Sequence, residues 1–461
     1  MRTVSLLCCL FAVIARAGHA MPVPATALAY VDEALTRNLG LAEKTIETDR
    51  ARVRLAEVRG ALQPRLDLVA RYSQADGGRT IDFPTGDLLN GVYRTLNDYL
   101  RGEGRAATFP QIANQTVPLL REREQETKLR LTQPLYRPEI TRGIRATRAE
   151  VAVREAQLAA YKRELRLTVL TAYYGYLQSE AAVRIWETTA GLTDEALRVN
   201  RGLRQADKIT DERVLRAEAD VLLVRQQRAE AERDRNAARR GFNFLLNRDL
   251  ETAITVPPEE ELAALTEMLL KETIAPLPGI ERREEMTALE QAVAAATAAE
   301  DVARAKLGPT VALAVDGGVQ GTNYRTGTGA NFVQGSIVGE FNLWDGRKQR
   351  SQLTQAKLER RRSEIEREQT RQQLALQSRR AGDDFQAATT AYRAAEMRRR
   401  ALARAFELVA GREREGLANQ LNFLDARAER TRAELNAEIT RQRLFTAAAE
   451  FDRATALTPL P

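Results

Sequence analysis

The feature that most constrains this chain is an internal repeat whose members are separated by long runs without proline. Three pairs of segments align in the same order: 62–68 with 307–313, 131–136 with 339–344, and 207–217 with 416–426. The spacing between the second and third segments is nearly constant, because Leu135 to Ala217 is 82 residues and Leu343 to Ala426 is 83. Matching spacing over so long a stretch predicts two halves built on one plan.

The proline-free runs predict very long helices. The chain has 15 prolines, yet none lies between residues 139 and 256 or between 310 and 458. An interior proline costs a helix about 3 kcal/mol, so its absence permits long helices. Apolar residues recur in these runs every three or four positions, near the 3.5-residue period of supercoiled helices. The helices predicted in this way are about 41–62, 138–206, 211–246, 284–306 and 417–457. The longest would reach ~100 Å.

Charge and composition exclude several classes of function. The 70 Lys+Arg and 63 Asp+Glu residues are mixed in sign along the predicted helices, which is typical of solvated helix faces rather than of a nucleic-acid surface. Both cysteines, Cys8 and Cys9, and the only histidine, His19, fall within residues 1–20. A basic start, a short apolar run and small residues before a cleavage point predict that 1–20 is a signal peptide. The mature chain would then have no disulfide, no thiolate nucleophile and no histidine general base.

Short segments with a period of two lie between the helices and predict strands. Their apolar positions are Leu66, Leu68, Ala70 and Tyr72; Leu129 and Leu131; Val311, Leu313 and Val315; and Ile337, Gly339, Phe341 and Leu343. Polar and apolar residues alternate. This pattern is typical of a membrane strand with lipid on one side and water on the other, and also of a half-buried sheet in a soluble protein. Four strands are too few for a membrane barrel, whose minimum is about eight. Three chains would supply twelve strands and leave no open edge, so the barrel alternative also predicts a trimer.

Taken in order, these segments make the chain similar to the TolC family of outer membrane efflux proteins. The segments that carry the resemblance are the repeat itself, Glu33–Leu39, the prolines Pro64 and Pro309, Leu131–Tyr136, Asn342–Gly346, and the two turns with Val/Phe-Leu-x-Ala. The resemblance implies a mainly α-helical trimer. Its four strands per chain would form a 12-stranded barrel in the outer membrane, on a long helical tunnel that crosses the periplasm.

The resemblance also implies a domain organisation. We expect a signal peptide at 1–20, a first structural repeat at 21–246, an equatorial segment at 247–283 and a second structural repeat at 284–461. The first interstrand connection is 37 residues longer than the second. Its extra chain, within 74–125, would lie outside the cell as an extended loop or as a lid over the pore. A connection of this length is usually functional or disordered.

The family's functional positions can be carried over to matching residues. The periplasmic constriction would be formed by Asn422 and Asp425, and a single carboxylate per chain predicts a weaker cation preference than the family's usual pair. Salt bridges that close the aperture would involve Arg412, Glu413, Arg414 and Glu415. The tips that meet the adaptor would be Asp207, Lys208, Ile209 and Thr210 in the first half, and Gly416, Leu417 and Ala418 in the second.

The implied function is that of a passive exit duct in a tripartite efflux pump or a type I secretion system. Its partners would be two further copies of the chain, a periplasmic adaptor (membrane fusion) protein, an inner-membrane pump or ABC exporter, and outer-membrane lipid. No enzyme activity, cofactor, metal or nucleic acid is expected. The alternative is a periplasmic coiled-coil adaptor or a structural protein of an export system. An adaptor would normally carry a β domain between its helical arms, and no such block interrupts 138–246 or 346–457.

Overall fold

The structure, a computed structural model, describes residues 21–272, 280–415 and 420–459. The predicted signal peptide and the tip residues Gly416, Leu417 and Ala418 therefore lie outside the described residues. The described helices are α1 (Ala25–Arg37), α2 (Leu39–Gly60), α3 (Thr85–Gly102), α4 (Pro138–Gln205), α5 (Asp211–Leu245), α6 (Glu259–Lys271), α7 (Glu284–Ala305), α8 (Lys348–Arg414) and α9 (Gln420–Thr455). The strands are β1 (Arg65–Gln74), β2 (Thr80–Phe83), β3 (Gln115–Pro118), β4 (Arg123–Tyr136), β5 (Thr310–Gly321) and β6 (Asn331–Glu340).

The chain is mainly helical, and the long helices lie where the proline-free runs predicted them. α4 has 68 residues and α8 has 67, whereas α5 and α9 have 35 and 36. Two compact units are formed. Within the described residues, the first contains 21–55, 146–298 and 357–459, and the second contains 56–145 and 299–356.

The core of the first unit is built on aromatic side chains from α1, α4 and α5. The ring of Tyr30 packs 5.4 Å from Tyr173 and 5.1 Å from Phe242, in the tilted and edge-on geometries that aromatic pairs favour. The Tyr173 hydroxyl donates to the backbone oxygen of Thr255 (2.8 Å), and the Tyr30 hydroxyl accepts from the backbone N–H of the same residue (2.8 Å). Burial raises the pKa of Tyr173 to about 12. These bonds fix the segment that leads from α5 to α6.

Helix α6 lies inside the predicted equatorial segment and was not predicted from the sequence. It begins after Pro258 with three glutamates in its first turn, where acidic side chains complement the helix dipole. Glu259 forms an ion pair with Arg441 of α9, and Arg441 also pairs with Glu438 (2.8 Å). Burial raises the pKa of Glu438. Helix α6 is thereby joined to α9 by an ion pair.

The second unit contains a four-stranded antiparallel sheet in the order β1-β4-β5-β6. The register places the side chains of Leu68 and Leu129 beside each other on one face, with Gly317 and Val333 continuing the same row on β5 and β6. The neighbouring positions on the other face carry the charged residues. The sheet therefore has one apolar and one polar face, as the alternation predicted.

The connection between β1 and β4 is folded rather than extended. It contains β2, β3 and helix α3, and β2 pairs with β3. The segment that follows α3 is held against it by side-chain amides. Asn90 makes two hydrogen bonds with the backbone of Ile112 (both 2.8 Å), and Asn97 makes two with the backbone of Phe109 (2.7 and 3.0 Å). Gly86 belongs to the same contact, because a Cβ there would lie 2.4 Å from the carbonyl oxygen of Ile112.

Gly318 on β5 provides a test of the sheet. A Cβ at this position would lie 2.2 Å from the carbonyl oxygen of Thr127 and 2.7 Å from the Cβ of Lys128 on β4. We expect Gly318→Ala to destabilise the sheet by about 1–3 kcal/mol, because the backbone of β4 has to move. The temperature at which the purified protein in detergent loses its β-sheet circular dichroism should fall. Gly335→Ala on β6 is the control, because nothing lies within 4 Å of its added Cβ. Equal melting of the two variants would contradict the close packing of β4 on β5.

Candidate functional site

The turn between α4 and α5 contains the first set of predicted tip residues. Asp207 adopts a left-handed conformation (φ 53°) that ends α4, and Lys208 donates its backbone N–H to Leu203 (2.9 Å). Arg204 binds the carboxylates of both Asp207 (2.7 Å) and Asp211 (2.5 Å) across the turn. The hydrogen bond from Arg204 lowers the pKa of Asp211. The side chains of Asp207, Lys208 and Thr210 are exposed and that of Ile209 is half-buried, so the turn presents a charged surface with one partly apolar position.

The turn between α8 and α9 contains the predicted latch. Arg412 and Glu413 lie in the last turn of α8, and Glu415 follows it with its backbone N–H bonded to Gly411 (3.2 Å). Arg412 and Glu415 are exposed and Glu413 is half-buried. Arg414 is the last residue of α8, and its side chain lies outside the description. Salt bridges from these residues that close an aperture stay a prediction.

The predicted constriction residues Asn422 and Asp425 lie in the first turns of α9, and both are exposed. They are three residues apart and therefore lie on one side of the helix. At 100° per residue, this side is separated by roughly 170° from that of Phe423, Arg427 and Thr431. The constriction residues consequently point away from the face by which α9 packs on its own chain.

The packed face of α9 makes three contacts that the sequence did not predict. The ring of Phe423 lies 5.6 Å from that of Phe406 on α8. Arg427 forms a two-point ion pair with Asp220 on α5, with Nη2 donating to Oδ1 at 2.5 Å.

The third contact joins α9 to α4, because Thr431 lies 3.3 Å from Thr189 between the two hydroxyl oxygens. The three anchors are spaced four residues apart along α9. This spacing is the only sign of them in the sequence, since their partners are 17, 207 and 242 residues away.

Two long helices each present a row of exposed, mostly apolar residues at spacings of three or four. On α8 the row consists of Ala394, Met397, Ala401, Ala405 and Leu408. On α5 it consists of Leu215, Ala219, Leu222, Gln226 and Ala229, in which only Gln226 is polar. We call these rows the α8 seam and the α5 seam. Exposed rows with this spacing are typical of helices that pack against a further helix.

The polar face of the sheet carries a network of charges across β1, β4 and β5. Arg130 donates to both oxygens of Asp316 (2.8 and 2.7 Å), and Lys128 lies 3.1 Å from the same carboxylate and 2.6 Å from Glu126. Arg71 completes the network at 3.3 Å from Glu126. Opposite this face, Leu68 and Val333 are 71% and 84% exposed. The sheet leaves large apolar side chains uncovered while its charges are paired with one another.

None of the helices in the described part of the chain is both long enough and apolar enough to cross a membrane. Residues 21–272, 280–415 and 420–459 likewise contain no group of three or more His, Cys, Asp or Glu that could hold a metal ion.

Comparisons with known proteins agree with the resemblance that the sequence indicated. Residues 279–456 match the model of the outer membrane efflux protein family. Among solved structures, the Campylobacter jejuni CmeC outer membrane channel is 14% identical with a TM-score of 0.74, over 94% of this chain and 86% of that one. The Neisseria gonorrhoeae MtrE outer membrane channel is 19% identical with a TM-score of 0.72, over 93% and 88%. The outer-membrane channel OprN is 19% identical with a TM-score of 0.71, over 93% and 89%. No curated protein matches.

These comparisons confirm the predicted similarity to the TolC-like channels and the mainly helical fold with few strands. The predicted outer-membrane location agrees with them, because the matching family and the three solved proteins are all described as outer-membrane proteins.

Proposed function

We propose that this chain is the outer-membrane exit duct of a tripartite efflux pump or a type I secretion system, through which substrates pass passively to the exterior. The observation that carries the proposal is the sheet of β1, β4, β5 and β6, with one exposed apolar face and one face of paired charges. Such a sheet suits lipid on one side and a water-filled lumen on the other. A duct of this kind moves its cargo without catalysis.

The edges of the sheet support a trimer. β1 and β6 are the outer strands of the four, and each pairs on one side only within the described chain. Open edges are not tolerated in a bilayer, where every backbone polar group needs a partner. Three copies that pair β1 of one with β6 of the next give a closed barrel of twelve strands.

The two seams support the same assembly in the helical part. The α5 seam and the α8 seam are different surfaces of one chain, so a contact between the α5 seam of one copy and the α8 seam of the next is head-to-tail. Contacts of this type close into a ring when the rotation between copies allows it. Each seam would then be covered, and the helices would enclose a tunnel.

Matching local geometry supports the internal repeat. At the end of α2, Leu62 donates its backbone N–H to Arg59 (3.1 Å) and Gln63 donates to Gly60 (2.9 Å). At the end of α7, 245 residues later, Leu307 donates to Arg304 (3.2 Å) and Gly308 donates to Ala305 (3.1 Å). Each turn is followed by a proline and then a strand. Two halves with one plan give each copy two hairpins, and a trimer twelve helical segments around the tunnel.

The constriction in this proposal is a ring of three Asp425 carboxylates and three Asn422 amides. Asp425→Asn should reduce the block of the channel by multivalent cations, because the ring would lose its negative charge. The measurement is the conductance of single channels in planar bilayers with and without hexaamminecobalt(III). Asn422→Gln leaves the charge of the ring unchanged and serves as the control. Equal block of the wild type and Asp425→Asn would remove this role.

The surfaces proposed to meet a periplasmic adaptor are the turn at Asp207–Thr210 and the residues Gly416, Leu417 and Ala418, which lie outside the described residues. The adaptor alternative for the chain itself is disfavoured, because only five residues separate α4 from α5 and only five separate α8 from α9, which leaves no room for a β domain inside either hairpin. The test of the proposed function is detergent extraction from isolated outer membranes, followed by the mass of the native oligomer. A mass of three chains supports the duct. A water-soluble monomer that needs no detergent would overturn it.

A further inference from the structure

The ion pair between Arg427 and Asp220 differs from the other ion pairs of α9 near this turn. The side chain of Arg427 is 6% exposed and that of Asp220 is 18% exposed, and two nitrogens of Arg427 bind two oxygens of Asp220. By contrast, the pair between Arg432 and Glu429 on the same helix is 72% and 39% exposed. Exposed pairs contribute about 0–1 kcal/mol. Removing one partner of a buried pair costs much more, because the remaining charge is left without a counter-ion.

The position of this pair ties it to the constriction. Arg427 is two residues beyond Asp425, and its side chain leaves α9 on the side opposite to Asn422 and Asp425. Phe423 and Thr431 contact α8 and α4 on the same side as Arg427. The contact between Arg427 and Asp220 lies between these two, and it is the charged one of the three. A two-point contact between planar groups fixes rotation as well as distance.

We propose that Arg427 and Asp220 are positioning residues of the channel, which set the rotation of α9 so that Asp425 faces the pore axis. The inference rests on the proposed function, because it needs the ring of Asp425. The pair joins α9 to α5, the returning helix of the other hairpin in the same chain. This role is separate from that of the predicted latch at Arg412–Glu415.

The experiment measures the cation-over-anion permeability ratio of single channels from the reversal potential in a salt gradient. Arg427→Gln should lower the ratio toward that of Asp425→Asn, because Asp425 turns away from the axis. The direct effect of removing a positive charge near the pore has the opposite sign and would raise the ratio. The charge swap Arg427→Asp with Asp220→Arg should restore the ratio of the wild type. Arg432→Gln is the matched control on α9. Arg432 lies seven residues beyond Asp425 on the same side of the helix, so the loss of its charge should raise the ratio and not lower it.

A second comparison distinguishes an effect that acts through Asp425 from a general disturbance of the channel structure. In a protein that already carries Asp425→Asn, Arg427→Gln should change the ratio no further, because the residue through which it acts is gone. Arg427→Lys keeps the charge but loses the two-point contact, and it replaces Arg427→Gln if the latter does not assemble. A lower ratio in that variant supports the proposal. An unchanged or higher ratio in either Arg427 variant would overturn it. The wild type tests the proposed function separately. If it forms pores, a negative result with the Arg427 variants counts only against the positioning role. If it forms no pores, the proposed function itself is contradicted.

Discussion

Val333→Arg is expected to prevent the protein from inserting into the outer membrane. Val333 lies on the apolar face of β6 and is 84% exposed in the single chain. An arginine on the lipid side of a membrane strand costs about 2–4 kcal/mol near the middle of the bilayer. In a trimer the substitution occurs three times, so the total would be at most roughly 12 kcal/mol, which is comparable to the whole stability of a typical fold. The measurement is the amount of protein in the outer-membrane fraction, with the temperature at which the trimer dissociates in detergent.

The neighbouring residue provides the control. Gln334 lies on the same strand, but its side chain is on the polar face of the sheet, beside Asp316 of the neighbouring strand. Gln334→Arg places the same arginine one position further along the strand. On the proposed lumen side, its charge stays in water. We expect this variant to insert like the wild type. If both variants reach the outer membrane in equal amounts, the assignment of the two faces is wrong.

Much of the fold follows from patterns that a short window of sequence contains. The long helices α4 and α8 follow from the absence of proline and from the period of their apolar residues. The strands follow from alternation, because a slip of one residue would exchange the two faces. Both signals depend on near neighbours in the chain. They specify what kind of element forms and on which side it is apolar.

Helix α3 was missed for the opposite reason. Its connection contains Gly, Pro and Asn in a pattern that is typical of loops. The fold of this connection depends on Asn90 and Asn97, whose amides bind backbone groups 22 and 12 residues further along the chain. An asparagine gives no sign in the sequence of which distant backbone group it will bind. The hydrogen bonds from these asparagine side chains hold the segment after α3 against the helix, and composition alone did not indicate this arrangement.

The sequence predicted part of the candidate site, but it did not predict the contacts between residues that are far apart in the chain. Asn422 and Asp425 were identified through the resemblance, and the structure places both on the exposed side of α9. Their function as a constriction stays a prediction. The partner of Arg427 is 207 residues away, so no local pattern connects it with Asp220. Charged residues occur throughout both helices, so the sequence does not single out this pair.

The double substitution Met397→Glu with Leu408→Glu is expected to abolish trimer formation. Both residues belong to the α8 seam, and their side chains are 74% and 61% exposed in the single chain. Burying a side chain of this size stabilises a contact by about 1.5–3 kcal/mol. Two such losses in each of three interfaces give roughly 9–18 kcal/mol for the ring, before the cost of burying the new carboxylates is added. The measurement is the mass of the detergent-solubilised protein.

The control is Gln372→Glu with Gln386→Glu. Both positions are exposed and lie on α8, at a heptad position that no residue of the α8 seam occupies. This variant adds the same number of negative charges to the same helix and should remain trimeric. The seam substitutions leave the packed face of α8 intact, including Phe385 and Phe406, so the helical circular dichroism of the dissociated chains should remain. A trimer that survives Met397→Glu with Leu408→Glu would show that a second copy does not cover the α8 seam, and the head-to-tail contact with the α5 seam would have to be abandoned.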